Sequence, residues 1–380
     1  MAKKPLGLIE THFSKVNDPR IDRTKEHSLI NIFTIAICAV ICGAESWVDV
    51  ESFGNNKIIW LKTFLELRNG IPSHDTFGRV FSLINAQEFQ TAFYEWVFAV
   101  NEIIQGQIIS LDGKCLRGSD DKRLGKRAIY MVSAWAASNH LVLGQRKVDE
   151  KSNEITAIPE LLKILAISGC IITIDAMGTQ THIAKTIIEA GADYVLSVKK
   201  NQGHLFDDIS MLFEVDQAQN FKYSALDYTK TISKGHGRID IRECWSTSNP
   251  DYLRLIRGVD SWVGLRSIAM VICTRIIGEK ETKEVRYFIT SLPSNAERIL
   301  YAVRKHWGIE NELHWALDVA MNEDHSRVRK DQAPENFAVL RHIALNLLKQ
   351  EKTVKGGIHN KQLQAAWNED YLLKVLAAGI

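Results

Sequence analysis

Two carboxylates stand at the ends of apolar runs that read as buried strands. The first run is residues 107–112, "QIISLD", followed at once by Gly113 and Lys114; the second, "CIITIDAMG", delivers Asp175. Short continuous apolar runs of this kind fit strands covered on both faces. Open α/β sheets place their chemistry beyond the carboxyl ends of such strands, so Asp112 and Asp175 are expected side by side there. Two acids in a partly dry site repel one another and raise each other's pKa unless a cation lies between them. The pattern therefore predicts a divalent metal. Magnesium takes oxygen ligands and keeps several waters, so two or three carboxylates are enough to hold it.

A third acid is available in "HWGIENELHW", where His306, Glu310 and His314 recur at i, i+4 and i+8 and share one face of a helix. Two chemistries fit this face. Glu310 could complete the carboxylate set, or His306, Glu310 and His314 could bind zinc in a hydrolase, although a helix offers two zinc ligands at i and i+4 more readily than three over two turns. Asp112 alone could serve a strand–Asp–Gly turn, and Asp175 alone could cap the helix after it. Their pairing at matching strand ends favours metal ligation. Glu312 and Asp318 read as solvated helix charges.

The elements that must position these groups follow from the surrounding pattern. Over residues 106–202 three strand-like runs give way to alternating helices and strands, which predicts a mixed sheet with helices on both faces. Residues 203–295 break into short strand-like pieces separated by glycines, a β-rich insertion. Residues 296–350 return to helix and carry Glu310, and 351–380 form a helical tail. Residues 1–105 read as an all-α domain. In it "GIPSHDTFGRVFSLI" enters a helix at Pro72 and Ser73, with Phe77, Val80, Phe81 and Ile84 at helical spacing. That helix is either a packing element or the second half of a helix-turn-helix in which Arg79 would face DNA.

The 380 residues, 46% hydrophobic and 24% charged, suit a soluble globular chain with more than one core. With 47 basic and 45 acidic residues the net charge is only +2, so a nucleic-acid partner must be argued from local clusters. The six cysteines form no CxxC pair and read as reduced core residues. The N-terminus lacks the apolar core of a secretory signal. The most apolar stretch, beginning at Ser28, is interrupted by Asn31 and Thr34 and reads as a buried helix, not a membrane span. A cytoplasmic protein without membrane contact is expected.

The blocks "IISLDGKCLRGS", "KSNEITAIPELLKILAISGCIITIDAMGTQ", "ADYVLSVKKNQGHL", "GHGR" and "RKHWGIENELHWALDVAMNEDHSRVR" closely resemble the H-repeat-associated insertion-sequence transposases of bacteria. The resemblance extends to "ICAVICGAESWVDVESFG" and "NGIPSHDTFGRV" near the N-terminus. It implies a DDE transposase: a ribonuclease-H-like α/β core with flanking helices, interrupted by the β-rich insertion and preceded by a helical DNA-end-binding domain. Asp112, Asp175 and Glu310 match the three acids of that family and would hold two Mg2+ or Mn2+ ions. The implied partners are double-stranded DNA, as terminal inverted repeats and target, and a second copy of the chain at synapsis. The location would be the bacterial cytoplasm, nucleoid-associated when bound to DNA. A domesticated or inactive DNA-binding relative is the alternative biology.

Better-known relatives carry a Tyr, an Arg and a Lys around the Glu to grip the DNA end. This chain has Val303, His306 and Leu317 there, so those contacts do not transfer. Arg304, Lys305 and His306 are candidate substitutes. Further candidates for backbone contact are Lys122, Arg123, Lys126 and Arg127 in "DDKRLGKR", and Lys199 and Lys200 after the fifth strand.

Overall fold

The strand that carries Asp112 pairs antiparallel on one side and parallel on the other. In the computed structural model, which describes residues 7–100, 105–120, 125, 127–148, 154–221, 225–235 and 237–378, β1 (Ile108–Leu116), β2 (Ile129–Ala136) and β3 (Leu141–Val148) form an antiparallel meander. On its other side β1 pairs in parallel with β4 (Ile171–Ile174), and β4 with β5 (Asp193–Val198). The crossover helices Glu154–Ile164 and Thr181–Glu189 supply the connections that parallel strands require. A meander followed by two parallel strands, with helices on the faces, is a ribonuclease-H-like core.

The strands of the insertion extend this same sheet. After the helix His204–Ala218 come β6 (Asp227–Gly235), β7 (Arg238–Thr247), β8 (Ser267–Ile277) and β9 (Lys280–Thr290). β9 pairs antiparallel with β5, so the order is β3-β2-β1-β4-β5-β9-β8-β7-β6. The pairing covers the edge that β5 would otherwise expose.

Asp112 does not end its strand, contrary to the expectation from sequence. Its parallel partner stops at Ile174, opposite Leu111, whereas the antiparallel partner continues from Asp112 opposite Ser133 to Leu116 opposite Ile129. The strand therefore runs on because β2 outlasts β4. Asp112 is the first residue of β1 beyond its parallel neighbour, and Asp175 directly follows the last residue of β4, so the two still emerge at the same level.

The helix Ala333–Gln350 is buried along almost its whole length and binds the N-terminal helices to the sheet. The Asn346 amide donates to the carbonyl of Val142 and accepts from its N–H, both at 2.9 Å. Asn336 Nδ2 donates to the carbonyls of Phe81 and Ile84 at 2.8 and 3.0 Å, and the Trp47 ring meets Phe337 edge-on at 4.8 Å. The helix Leu29–Ile41 is buried, as its composition predicts, and Asn31 within it donates to the Glu66 carbonyl. The helix predicted after Pro72 is His74–Leu83, capped by Ser73 Oγ accepting from the Thr76 N–H. Among the described residues no helix is long and apolar enough to cross a membrane.

Candidate active site

Asp112, Asp175 and Glu310 line one cavity of about 990 Å³. Asp112 Oδ1 accepts from its neighbour's Gly113 N–H at 2.9 Å. Burial pushes the Asp112 carboxyl up to about 7, and the negative charges of Asp175, Glu310 and Glu154 push the same way, with the Gly113 N–H only partly offsetting them. Asp175 Oδ1 accepts from the N–H of Met177 at 3.0 Å, which folds the backbone after β4 into a turn. It is not the cap of the next helix, whose N-cap is Gln180.

Glu310 lies on a widened stretch of helix. The helix Ala296–Gly308 continues as π-helix over Ile309–His314 and Ala316–Ala320, with the Trp315 N–H reaching the Glu310 carbonyl and the Met321 N–H the Ala316 carbonyl, five residues back in each case. Such π-turns are rare and recur at functional sites. Glu310 itself is exposed to the cavity.

The two histidines of this helix do not converge with Glu310. His306 Nδ1 is 3.0 Å from Thr173 Oγ1 on β4, which in turn donates to Ser110 Oγ on β1 at 3.0 Å. His314 Nδ1 lies 3.5 Å from Asp112 Oδ2. Burial holds both imidazoles down at about 4, so both are neutral near pH 7. Among the described residues no set of three His, Cys, Asp or Glu side chains is grouped closely enough to hold a metal ion. That holds for the three carboxylates as for the histidines; the zinc reading fails because His306 is turned to Thr173 and His314 to Asp112, so neither imidazole joins Glu310. A hard divalent cation still fits the donor chemistry: three carboxylates on a common wall, oxygen-only, two of them on adjacent strands and mutually repelling.

Three features of the site escaped the sequence reading. Glu154, at the start of the first crossover helix, is a fourth acid: a Cβ on Gly113 would stand 2.2 Å from Glu154 Oε1, so the glycine leaves room for that carboxyl. Burial and then Asp175 raise the Glu154 carboxyl above its ordinary value. Only the "DG" pair hinted at this close approach. Second, Lys114 lies within β1 and is surrounded by acids. Its ammonium contacts Asp318, lies 2.6 Å from Glu323 Oε2 and 3.5 Å from Asp324 Oδ1, and is nearly buried. Asp318 is thus paired, and so is Glu312, which contacts His140; neither is a free solvated charge.

The third feature is a cationic floor. On β7, Arg238, Asp240 and Arg242 recur at every second residue and face the cavity together, joined by Arg275 of β8 and Arg286 of β9. Asp240 lies 3.4, 3.1 and 2.7 Å from Arg238, Arg242 and Arg275. Burial alone would raise its carboxyl, but the hydrogen bond from Arg275 and the charge of Arg242 outweigh it and hold it below its ordinary value. One carboxylate cannot neutralise three guanidiniums, so positive charge remains. Arg286 lies over the Trp307 ring at 4.6 Å and pairs with Glu284 at 2.8 Å. From β1 to β8 is four strand spacings, about 19 Å. The alternation in "RIDIRE" was the available signal.

Of the basic residues singled out in the sequence, Lys199, Arg304, Lys305 and His306 line the cavity with the acids. His306 is turned to Thr173 through Nδ1. Arg79, Arg127 and Lys200 are exposed and lie outside that wall. Lys122, Arg123 and Lys126 fall outside the described residues.

A ribonuclease-H-like sheet that presents carboxylates from its two central strands and a facing helix defines the class of protein to which this chain is to be compared. Residues 104–347 match the family model described as "Transposase DDE domain", and residues 10–97 match "DDE_Tnp_1-associated". The chain belongs to the DDE transposase family. It is 42% identical over 376 residues to "H repeat-associated putative transposase YhhI" of Escherichia coli (strain K12), covering 98% of each chain. A shorter relative from the same strain, "Inactive transposase YbfQ", is 45% identical over 77 residues, 20% of this chain and 92% of its own. Among solved structures, "Cryo-EM structure of piggyBac transposase synaptic complex with hairpin DNA (SNHP)" aligns with a TM-score of 0.43 and 11% identity, covering 97% of this chain and 81% of the other.

Proposed function

We propose that this chain cuts DNA at the ends of its own mobile element and joins the freed 3′-hydroxyl to target DNA. The observation that carries the reading is the convergence of Asp112, Asp175 and Glu310 on one cavity, with burial and mutual repulsion pushing the Asp112 carboxyl up to about 7. Such an arrangement is costly in a protein with no use for a cation. Family membership supports the same chemistry. Asp112, Asp175 and Glu310 would hold the metal, with Glu154 close behind. Two Mg2+ or Mn2+ ions would supply Lewis-acid stabilisation of the attacking and leaving oxygens of an in-line displacement. No side-chain nucleophile is required.

The chain's own part is to hold and align the DNA. In this reading Lys199, Arg304 and Lys305 contact phosphates near the scissile bond, and the Arg238–Arg275–Arg286 floor takes phosphates further along the same strand. The helical region 1–105, with Arg79, recognises the terminal inverted repeat, and the basic loop at Lys122, Arg123, Lys126 and Arg127 supports the backbone. Two copies act together when two ends are paired. The work is done in the cytoplasm, on the nucleoid.

The test is incubation of the purified chain with labelled DNA carrying the inverted repeats that flank its gene. Mg2+-dependent release of a 3′-hydroxyl at the repeat boundary and its joining to a target duplex are expected. Equal nicking of unrelated DNA, or cleavage that persists in EDTA, would overturn the reading.

A further inference from the structure

The helix that carries Glu310 has to be held at one height relative to the strand that carries Asp112. Ile309, Leu313, Ala316 and Leu317 sink its inner face into the core, and two polar contacts tie it to β1. Asp112 and Lys114, two residues apart on β1, project from the same face of the strand. His314 and Asp318, four apart on the helix, answer them in order: His314 Nδ1 lies 3.5 Å from Asp112 Oδ2, and Asp318 Oδ1 contacts Lys114 Nζ. The two contacts run in the same order along strand and helix and so fix their relative register. A slip by one turn breaks both.

Lys114 is anchored on its far side. Its ammonium also contacts Glu323, which is buried and has Arg341 of the helix Ala333–Gln350 at 3.9 Å, and the Arg341 guanidinium lies over the Phe337 ring at 4.4 Å. Asp318 is the only one of the three acids around Lys114 that belongs to the Glu310 helix; Glu323 and Asp324 lie in the short turn Glu323–His325.

We propose that the Lys114–Asp318 pair is the strut that fixes Glu310 at the height of Asp112 and Asp175, making Asp318 a positioning residue for metal binding. The inference rests on the reading of Glu310 as the third metal-holding carboxylate. Outer groups that orient a metal-binding side chain typically change metal affinity 10- to 100-fold when removed. Lys114→Met is a poor probe, because it leaves Glu323 buried without its nearest cation. Asp318 is one-third exposed and leaves the Lys114–Glu323 contact intact when replaced.

The experiment is a double-mutant cycle of Asp318→Asn with Glu310→Ala, read by electron paramagnetic resonance titration of Mn2+ into the full-length protein without DNA, alongside thermal melting. Asp318→Asn should weaken Mn2+ binding about tenfold with little change in melting, and should add nothing in the Glu310→Ala background. A wild-type Mn2+ affinity for Asp318→Asn overturns the proposal. So does a loss of the same size whether or not Glu310 is present, since that is the mark of a general structural role. If Glu310→Ala itself binds Mn2+ like wild type while Asp112→Ala does not, the assignment of Glu310 fails and the strut falls with it.

Discussion

Replacing Asp112 by Asn should make the metal-free protein more stable while destroying its proposed activity. The carboxyl is raised from 3.8 to about 7, by burial first and then by Asp175. At about 1.4 kcal/mol per tenfold change in proton affinity, that corresponds to about 4 kcal/mol of disfavoured ionisation. The sign follows from proton counting: between pH 3.8 and 7 the folded state binds more protons at this site than the unfolded state, so stability falls as pH rises through that window. Above pH 7 both states are ionised and the penalty is constant. Asn carries no charge and escapes it, so its advantage over Asp should grow from about pH 4, approach 4 kcal/mol by pH 7 and then level off. Urea denaturation in EDTA at a series of pH values measures the difference. Added Mg2+ should raise the midpoint of wild type and leave the Asn variant unmoved. An Asn variant equal to or weaker than wild type at pH 8 in EDTA would refute the claim that Asp112 is held as a strained anion.

Other consequences are simpler. Glu312→Ala should barely change DNA cleavage, because its partnership with His140 is half-exposed and such pairs contribute about 1 kcal/mol or less; a hundredfold loss of cleavage would show that the helix face has been misassigned. Arg275→Gln should lower affinity for end DNA across sequences and reduce the slope of log affinity against log salt by about one, and an unchanged slope would remove the β7–β9 floor from the DNA path. Lys305→Gln should do the same, whereas His306→Gln should leave the slope alone, since His306 is neutral near pH 7. Asn336→Ala strips the buried carbonyls of Phe81 and Ile84 of a shared donor and should cost about 2 kcal/mol in urea denaturation; a cost near zero would mean that the N-terminal helices do not depend on that core helix.

The parts of the fold legible in the sequence are those written in local period. The apolar runs around Asp112 and Asp175 and the alternation of helix and strand through residues 106–202 predicted the mixed sheet. Ser73 and Phe77, Val80 and Phe81 marked the helix His74–Leu83. Asp112 was misplaced at a strand end because the length of β1 is set by β2, a partner some twenty residues away, and not by its own apolar run. The joining of β9 to β5 was hidden for the same reason, since an edge strand carries no local sign of what will cover it. At the site, the Lys114–Glu323 contact links positions 209 residues apart, and no spacing rule anticipates it. The π-helical stretch was equally invisible, since "WGIENELHWALDVA" reads as ordinary helix.

The most direct measurement is single-turnover cleavage of labelled element-end DNA in Mg2+ by wild type, Asp112→Ala, Asp175→Ala and Glu310→Ala, each first shown by circular dichroism to be folded. Release of the 3′-hydroxyl product by wild type alone is the predicted result, because each substitution removes one of the carboxylates that line the cavity. Product formation at the wild-type rate by folded Asp175→Ala would contradict it.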